Sequence, residues 1–313
     1  MILRVFVCLT ALTHSPFYVS ADSYTCEEPL LEKAVITATS SLRDRGPNNA
    51  RLHSAGSVGK ELKKIEKDRI LKYEYFKDAI ATLSGRLMMR KFVSDATGLK
   101  WDDFLLSRDD RCKPFYPGDI KILFNVSHHG KLTVLAGETG VTQVGVDVME
   151  MKYTGGKPLR EFFRLMSRQL TTQEWEAVKY SSLESQQEKT FFRVWALKEA
   201  YFKATGDGLA VPFNTVDFRF HSKLDQIGSY VEDTEIYFEG TKQVDWRFQE
   251  VLLNEDFCVC VAIHCPPDQF DLYPSLPFQE VSFQELVQNC KPIIPADEDG
   301  CKKMLDKYER DKQ

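Results

Sequence analysis

The sequence predicts an α+β fold from three observations. Of its 313 residues, 43% are hydrophobic and 28% charged, enough apolar material to bury one large core or two small ones. Short strand-like runs cluster at 119–125, 132–136 and 143–149 and return at 217–220, 234–238, 246–249 and 257–263. Between these blocks, apolar residues recur at helical spacing.

In chain order, Met1-Ile-Leu-Arg4, the apolar residues 5–12 and the small exit Val19-Ser-Ala21 have the form of a secretory signal. Cysteine usage opposes that reading. Removing Cys8 from the eight cysteines leaves an odd set with no disulfide-framework spacing, so a reducing, cytoplasmic setting is expected, with secretion as the alternative. Cys258 and Cys260 alternate in Phe257-Cys-Val-Cys-Val-Ala-Ile263 and are expected on one strand face as small apolar residues. No Cys-x-x-Cys pair or Cys/His array suggests zinc.

Residues 22–58 carry the turn-rich Arg45-Gly-Pro-Asn-Asn49 and no sustained periodicity. From 60 to 93, Ile65, Ile70, Leu71, Tyr73, Phe76, Ile80, Leu83, Leu87 and Met88 predict two helices or one broken helix, with Arg86 and Arg90 on its wet face. The strands at 119–125, 132–136 and 143–149 follow, the last two joined by Gly137-Glu-Thr-Gly140, and one connected antiparallel sheet is the simplest pairing. Helices are expected at 159–166 and 172–180, Thr172 capping the second with Glu174 close behind. The strongest helical pattern, 186–205, ends at Gly206 and Gly208. Past Cys265 the chain is rich in proline and charge and reads as a weakly packed tail.

A net charge of −5 gives no global attraction to nucleic acid or anionic membrane, and no apolar run is long enough to span a bilayer. Any phosphate site must therefore be a local basic cluster. In the strand 143–149, Val144, Val146 and Val148 fall on one face and Gln143, Gly145, Asp147 and Met149 on the other, which predicts one core face and one face bearing a carboxylate. In the helix 186–205, Trp195, Glu199 and Lys203 are successive i,i+4 neighbours. Asp147 and Glu199 together could close on one hard cation such as Mg²⁺. Taken singly, each has a plainer reading. Glu199 with Lys203 can be a solvated pair, Asp147 a turn cap, Trp195 a core residue, and His128-His129 one buried and one exposed ring. Asn125-Val-Ser127 is also a glycosylation acceptor.

Order and spacing add what single residues lack. Asn125-Val-Ser-His-His-Gly130, then Val144-Gly-Val-Asp-Val-Met149, then Phe192-Arg-Val-Trp-Ala-Leu-Lys-Glu-Ala-Tyr-Phe-Lys203 resembles the three-motif signature of 4′-phosphopantetheinyl transferases of the monomeric Sfp-like branch. Ser84-Gly-Arg-Leu-Met-Met-Arg-Lys91 and Glu161-Phe-Phe163 extend the likeness, which covers about 64–263. The resemblance implies two similar α+β halves in a pseudo-two-fold arrangement, at 59–142 and 143–265, each a small antiparallel sheet against a long helix, flanked by an atypical segment 1–58 and a variable tail 266–313. It implies transfer of the phosphopantetheinyl arm of coenzyme A to a serine of apo acyl carrier protein domains, of the fatty acid synthase and aminoadipate-semialdehyde dehydrogenase type, with release of adenosine 3′,5′-bisphosphate.

Carried over residue by residue, the likeness implies that Asp147 and Glu199 hold Mg²⁺, that Glu199 takes the serine proton and that Lys203 balances developing charge. It implies that coenzyme A is bound by Arg69, Arg108, Asp109, Asp110, Arg111, Cys112, Lys113, Asn125, Val126, Ser127 and His128. The sequon would then line the nucleotide pocket. Met149 stands where many bacterial relatives carry a further acid, so water is expected at one metal position, and Arg111-Cys112-Lys113-Pro114 replaces the usual Gly-Lys-Pro loop. No counterpart of the family's opening strand is found before Lys60, so 1–58 is expected to be foreign to the domain, the product of a mis-joined gene model or an alternative transcript. The alternatives are an inactive relative that binds carrier domains or coenzyme A, a metal-dependent phosphohydrolase and a secreted binding module.

Overall fold

The computed structural model describes residues 4–9, 68–101, 103–111, 113–139, 143–272, 278–282, 285–286 and 298–311. The chain divides into two compact units, one formed mainly by Leu123–His129 with Ala136–Phe278, the other by Phe6–Ile122, Gly130–Leu135 and Gln279–Gln313.

In the first unit, β6 (Gln143–Glu150), β12 (Phe257–His264), β11 (Trp246–Leu252) and β8 (Tyr230–Val231) form an antiparallel sheet in that order, with Asp147 opposite Cys260 and Val144 opposite Ile263. Across β6 and β12 lies the 22-residue helix α4 (Glu184–Thr205), whose Leu197, Ala200 and Ala204 pack on Cys258, Cys260 and Ala262. The two thiols are buried small residues as expected, and burial pushes both well above the usual cysteine range. Helix α4 ends as predicted at Gly206, where φ is +78° and the N–H reaches Phe202 O. A second sheet is formed by β10 (Thr241–Lys242), β9 (Glu235–Phe238) and β7 (Val216–Arg219).

Two short helices, α2 (Leu159–Leu165) and α3 (Thr172–Lys179), pack on the first half of α4 through Phe163, Val178, Phe191 and Phe192. The cap of α3 is Thr171, one residue before the expected Thr172. Its Oγ1 accepts from the Glu174 N–H at 3.2 Å while Glu174 accepts the Thr171 N–H at 2.8 Å, a reciprocal capping box. Glu174 goes further than capping. It is fully buried against the equally buried Lys198 at 2.8 Å and accepts the Phe218 N–H, while the Lys198 ammonium donates to Phe213 O and Val216 O, both at 2.8 Å. Burial raises the Glu174 pKa and lowers that of Lys198, each opposed by the partner's charge.

In the other unit, α1 (Phe76–Thr97) follows a helical turn at 68–71, so the broken-helix expectation holds over the described part of 60–93. Arg86 and Arg90 are not on a wet face: they are 4% and 0% exposed, and Arg90 donates to Trp101 O with its guanidinium over the Phe104 ring. An arginine at helical spacing reads the same whether it meets water or carbonyls from a following loop. The hairpin β2 (Ser107–Arg108) and β3 (Pro114–Phe115) also belongs here.

Three expectations about connectivity are revised. The strands β4 (Ile122–His129) and β5 (Leu132–Thr139) neighbour each other in a sheet of order β13-β1-β5-β4, where β1 is Arg4–Leu9 and β13 is Gln279–Glu280, whereas β6 pairs with β12 instead. The apolar start read as a signal is in part a strand, parallel to β13 with Phe6 opposite Gln279, since a short apolar run suits either. Residues 10–67, with most of the segment expected to be foreign, lie outside those described. The described part of the tail after Cys265 is packed: Val281, Leu286 and Met304 are buried, and helix α5 (Glu298–Asp311) docks on the start of α1. There Asp311 accepts the Phe76 N–H at 2.6 Å, Tyr308 packs on Phe76, and Lys307 donates to Leu71 O and Tyr73 O.

Because Lys198 and Glu174 compensate one another in a dry interior, Lys198→Met alone is expected to cost about 3–5 kcal/mol by stranding a buried carboxylate. Glu174→Met with Lys198→Met should recover only part of that loss in urea-unfolding experiments, because the Thr171 and Phe218 N–H groups lose their acceptor.

Candidate active site

The site is built where α4 crosses β6. Alternation predicts a core face and a polar face bearing Asp147 on β6, and Val144 through Val148 are all buried, with Asp147 3% exposed. The reason is Gly145. A Cβ there would meet Ala200 O at 2.0 Å and Ala204 N at 2.5 Å, so the helix backbone rests directly on the strand, covering the face that carries Asp147. This contact brings the last turns of α4 over the carboxylate.

Lys203 is therefore not simply a solvated partner of Glu199. Its ammonium pairs with Asp147 Oδ1 at 2.5 Å and donates to Ser127 Oγ at 2.8 Å, while the Ser127 hydroxyl donates to the same Oδ1 at 2.7 Å. The second oxygen, Asp147 Oδ2, is buried and accepts no hydrogen bond among the described residues. Glu199, half-buried one helical turn before Lys203, has its pKa raised by burial; Lys203 opposes the shift and the Asp147 charge adds to it. The two carboxylates thus feel one another.

A buried carboxylate oxygen with no donor, beside a second destabilised carboxylate, suits a hard divalent cation better than the protein alone. The residues present fit such an ion. Among the described residues no group of three or more His, Cys, Asp or Glu stands together, so water and substrate oxygens would complete its shell.

Strand β4 supplies the rest of this cluster. Asn125 and Ser127 share a strand face, and Asn125 Oδ1 accepts the Val146 N–H at 3.1 Å, tying the sequon to β6. Val126 is half-buried and His128 exposed, while His129 is half-buried with Nδ1 accepting the Glu150 N–H at 3.2 Å. Met149 is half-buried and packs against both apolar clusters that flank α4. Trp195 is half-buried against the same clusters, 5.9 Å from the Phe191 ring and 5.1 Å from that of Phe213.

The remaining expected residues lie in the other unit, and Cys112 is outside the described residues. Arg69, Asp110 and Arg111 are exposed and Arg108 half-buried. Asp109 organises its own loop: its Oδ1 accepts the Arg111 N–H at 3.0 Å and the Lys113 N–H at 2.8 Å, closing the β2–β3 turn. Burial lowers the Lys113 pKa, opposed by the Asp109 charge.

Sequence reasoning passed over Lys198, adjacent to Glu199, and its pairing with Glu174, 24 positions before Lys198. The capping-box spacing was visible, but nothing in it showed that the same carboxylate would be buried against a lysine from α4.

The chain matches the sequence model of the family described as the 4′-phosphopantetheinyl transferase superfamily over residues 143–262, and that described as 4′-phosphopantetheinyl transferase, N-terminal, over 47–140. It is 34% identical over 246 residues to the L-aminoadipate-semialdehyde dehydrogenase-phosphopantetheinyl transferase of Rattus norvegicus, covering 74% of this chain and 79% of that protein. The chain belongs to the 4′-phosphopantetheinyl transferase family.

Its likeness to the Homo sapiens protein of the same name is 33%, again covering 74% and 79%, and to the 4′-phosphopantetheinyl transferase Sfp of Bacillus subtilis it is 24% over 160 residues, covering 50% of this chain and 65% of that one. The N-terminal match of this transferase begins at residue 47, ahead of the start expected at 59. Asp147, Glu199 and Lys203 fall within the superfamily match, and Asn125 and Ser127 within the N-terminal one.

Two predictions follow from this transferase's geometry. Gly145→Ala forces the α4 backbone off β6, and should cost at least about 1–3 kcal/mol and abolish activity, read by thermal unfolding and a transfer assay. Because burial holds Glu199 protonated longer in the folded chain, the stability it contributes is complete below the ordinary glutamate value and lost as pH rises through the raised one. Glu199→Gln should thus leave the urea midpoint near wild type at pH 4.5 and raise it at pH 8.

Proposed function

We propose that this transferase moves the phosphopantetheinyl arm of coenzyme A onto a serine of an apo carrier domain in an Mg²⁺-dependent reaction, acting as a cytoplasmic monomer. The carrier is of the kind named in its relatives, an aminoadipate-semialdehyde dehydrogenase domain, and we extend the range to the acyl carrier domain of fatty acid synthase. The observation that carries the reading is the convergence of Asp147, Glu199 and Lys203 at one helix–strand contact in a member of this family. Free, buried thiols at Cys258, Cys260 and Cys265 support a reducing setting.

Asp147 through Oδ2, with Glu199, would hold Mg²⁺, which when bound offsets the charge of the coenzyme A pyrophosphate. Glu199, its pKa raised by burial, is a better base than an exposed carboxylate and takes the proton of the carrier serine. The serine oxygen bonds the phosphorus next to the pantetheine, the bond from that phosphorus to the bridging oxygen breaks, and adenosine 3′,5′-bisphosphate leaves. Lys203, cationic beside Asp147, balances charge that builds on the bridging oxygen. Arg69, Arg108, Arg111, Lys113 and His128 supply positive charge or donors for the coenzyme A phosphates in a protein whose net charge is −5. The nucleophile belongs to the carrier, so no serine or cysteine of this chain needs to be reactive.

Incubation of an apo carrier domain with coenzyme A, Mg²⁺ and this transferase should give a mass gain of one phosphopantetheinyl group. Asp147→Ala and Glu199→Ala should each slow it by about 10²–10⁴-fold. A folded wild-type protein that leaves the carrier mass unchanged would refute the reading.

A further inference from the structure

The resemblance makes Ser127 a coenzyme A contact, yet its hydroxyl is otherwise engaged. Ser127 is 6% exposed, its Oγ receives the Lys203 ammonium at 2.8 Å, and it donates its one proton to Asp147 Oδ1 at 2.7 Å. With the ammonium occupying its acceptor side, the hydroxyl proton is directed at the carboxylate. Lys203 itself reaches the same oxygen. Asp147 thus carries both of its described hydrogen bonds on Oδ1, and Oδ2 is left buried without a donor among the described residues.

We infer that Ser127 is a positioning residue that fixes the Asp147 carboxylate, so that Oδ2 faces a divalent cation, and that its hydroxyl serves the carboxylate rather than coenzyme A. A lysine alone does not fix a carboxylate: its ammonium is a flexible point charge that can follow either oxygen as the group rotates. The serine hydroxyl, on a short side chain from a strand already tied to β6 by Asn125, marks one oxygen for donation and prevents that rotation. The cation-facing oxygen is thereby chosen before any ion arrives, and a preorganised ligand binds more tightly than one that must be ordered.

This inference rests on the proposed transferase function with its cation, and the test separates the two. Mn²⁺ binding by electron paramagnetic resonance in the presence of coenzyme A, and the Mg²⁺ and coenzyme A dependence of carrier modification, are measured for wild type, Ser127→Ala, Ser127→Thr and the isosteric, weakly donating Ser127→Cys. Ser127→Ala and Ser127→Cys should weaken Mn²⁺ binding and raise the half-saturating Mg²⁺ about ten-fold, with the KM for coenzyme A within two-fold of wild type, as befits loss of one hydrogen bond to a charged group. Ser127→Thr, which keeps the hydroxyl, should restore cation binding. If Ser127→Ala does not fold, Ser127→Cys, of nearly the same volume, carries the test. Unchanged cation affinity with a raised KM for coenzyme A would overturn the inference and return Ser127 to the nucleotide pocket. Failure of the wild-type protein to modify a carrier would instead sink the transferase reading.

Discussion

A helix can lie backbone against backbone on a strand only where the strand has no side chain, and in this protein that place is Gly145. Any larger residue there would lift α4 by roughly the thickness of a methyl group, and the consequences would fall on atoms several residues away. Lys203 would lose its 2.5 Å approach to Asp147. Glu199, one turn earlier and about 6 Å along the axis, would leave the field of the same carboxylate. The small residues Ala200 and Ala204 meet Gly145 from the helix side, and the small thiols of β12 lie under the same face, so the close contact is prepared from both elements.

Close approach sets the distance between helix and strand but not the helix's rotation, and rotation decides which side chains face Asp147. Apolar contacts with alanines and leucines tolerate small turns about the axis, because one methyl group replaces another at little cost. Charged anchors do not. Arg193 is bidentate to the buried Glu250 at 2.6 and 2.8 Å and donates to Ser222 O, and Lys198 is held by Glu174 and two carbonyls. Both pairs pay a desolvation penalty that hydrophobic residues would avoid, so they are poor candidates for net stability. Their hydrogen bonds have direction. They hold α4 at two points five residues apart, and the helix cannot roll without leaving a charge unpaired in a dry interior.

The elements of the fold were largely legible because each has a local cause. The helix 184–205 shows its apolar spacing and closes on a glycine, and the strands from 216 to 264 are short runs bounded by turn residues. What could not be read is the partner of each element. Nothing in Val144-Gly-Val-Asp-Val148 says that both faces will be covered, since the cover comes from a helix about fifty residues later. Arg86 and Arg90 show the same limit: helical spacing puts them on one stripe, and only the carbonyls of Trp101 and Phe104 make that stripe an interior one for Arg90. At the candidate site the acidic pair and Lys203 were visible as residue types in order. The bond from Ser127 to Asp147 spans 20 positions and two strands, and no local pattern predicts it.

The sequon Asn125-Val-Ser127 shows how far a motif's meaning depends on its surroundings. A glycan acceptor must present its amide to an enzyme on an extended, accessible chain. Here Asn125 is half-buried inside an eight-residue strand, its Oδ1 bound to the Val146 N–H, and the third residue of the motif is buried against Asp147 and Lys203. The hydroxyl that would mark the sequon is the one that closes the carboxylate cluster. A sugar on Asn125 would sit on a half-buried strand residue, two positions from the hydroxyl that binds Asp147. The same two polar residues that permit the sugar reading are thus engaged in the fold, Asn125 with Val146 and Ser127 with Asp147 and Lys203.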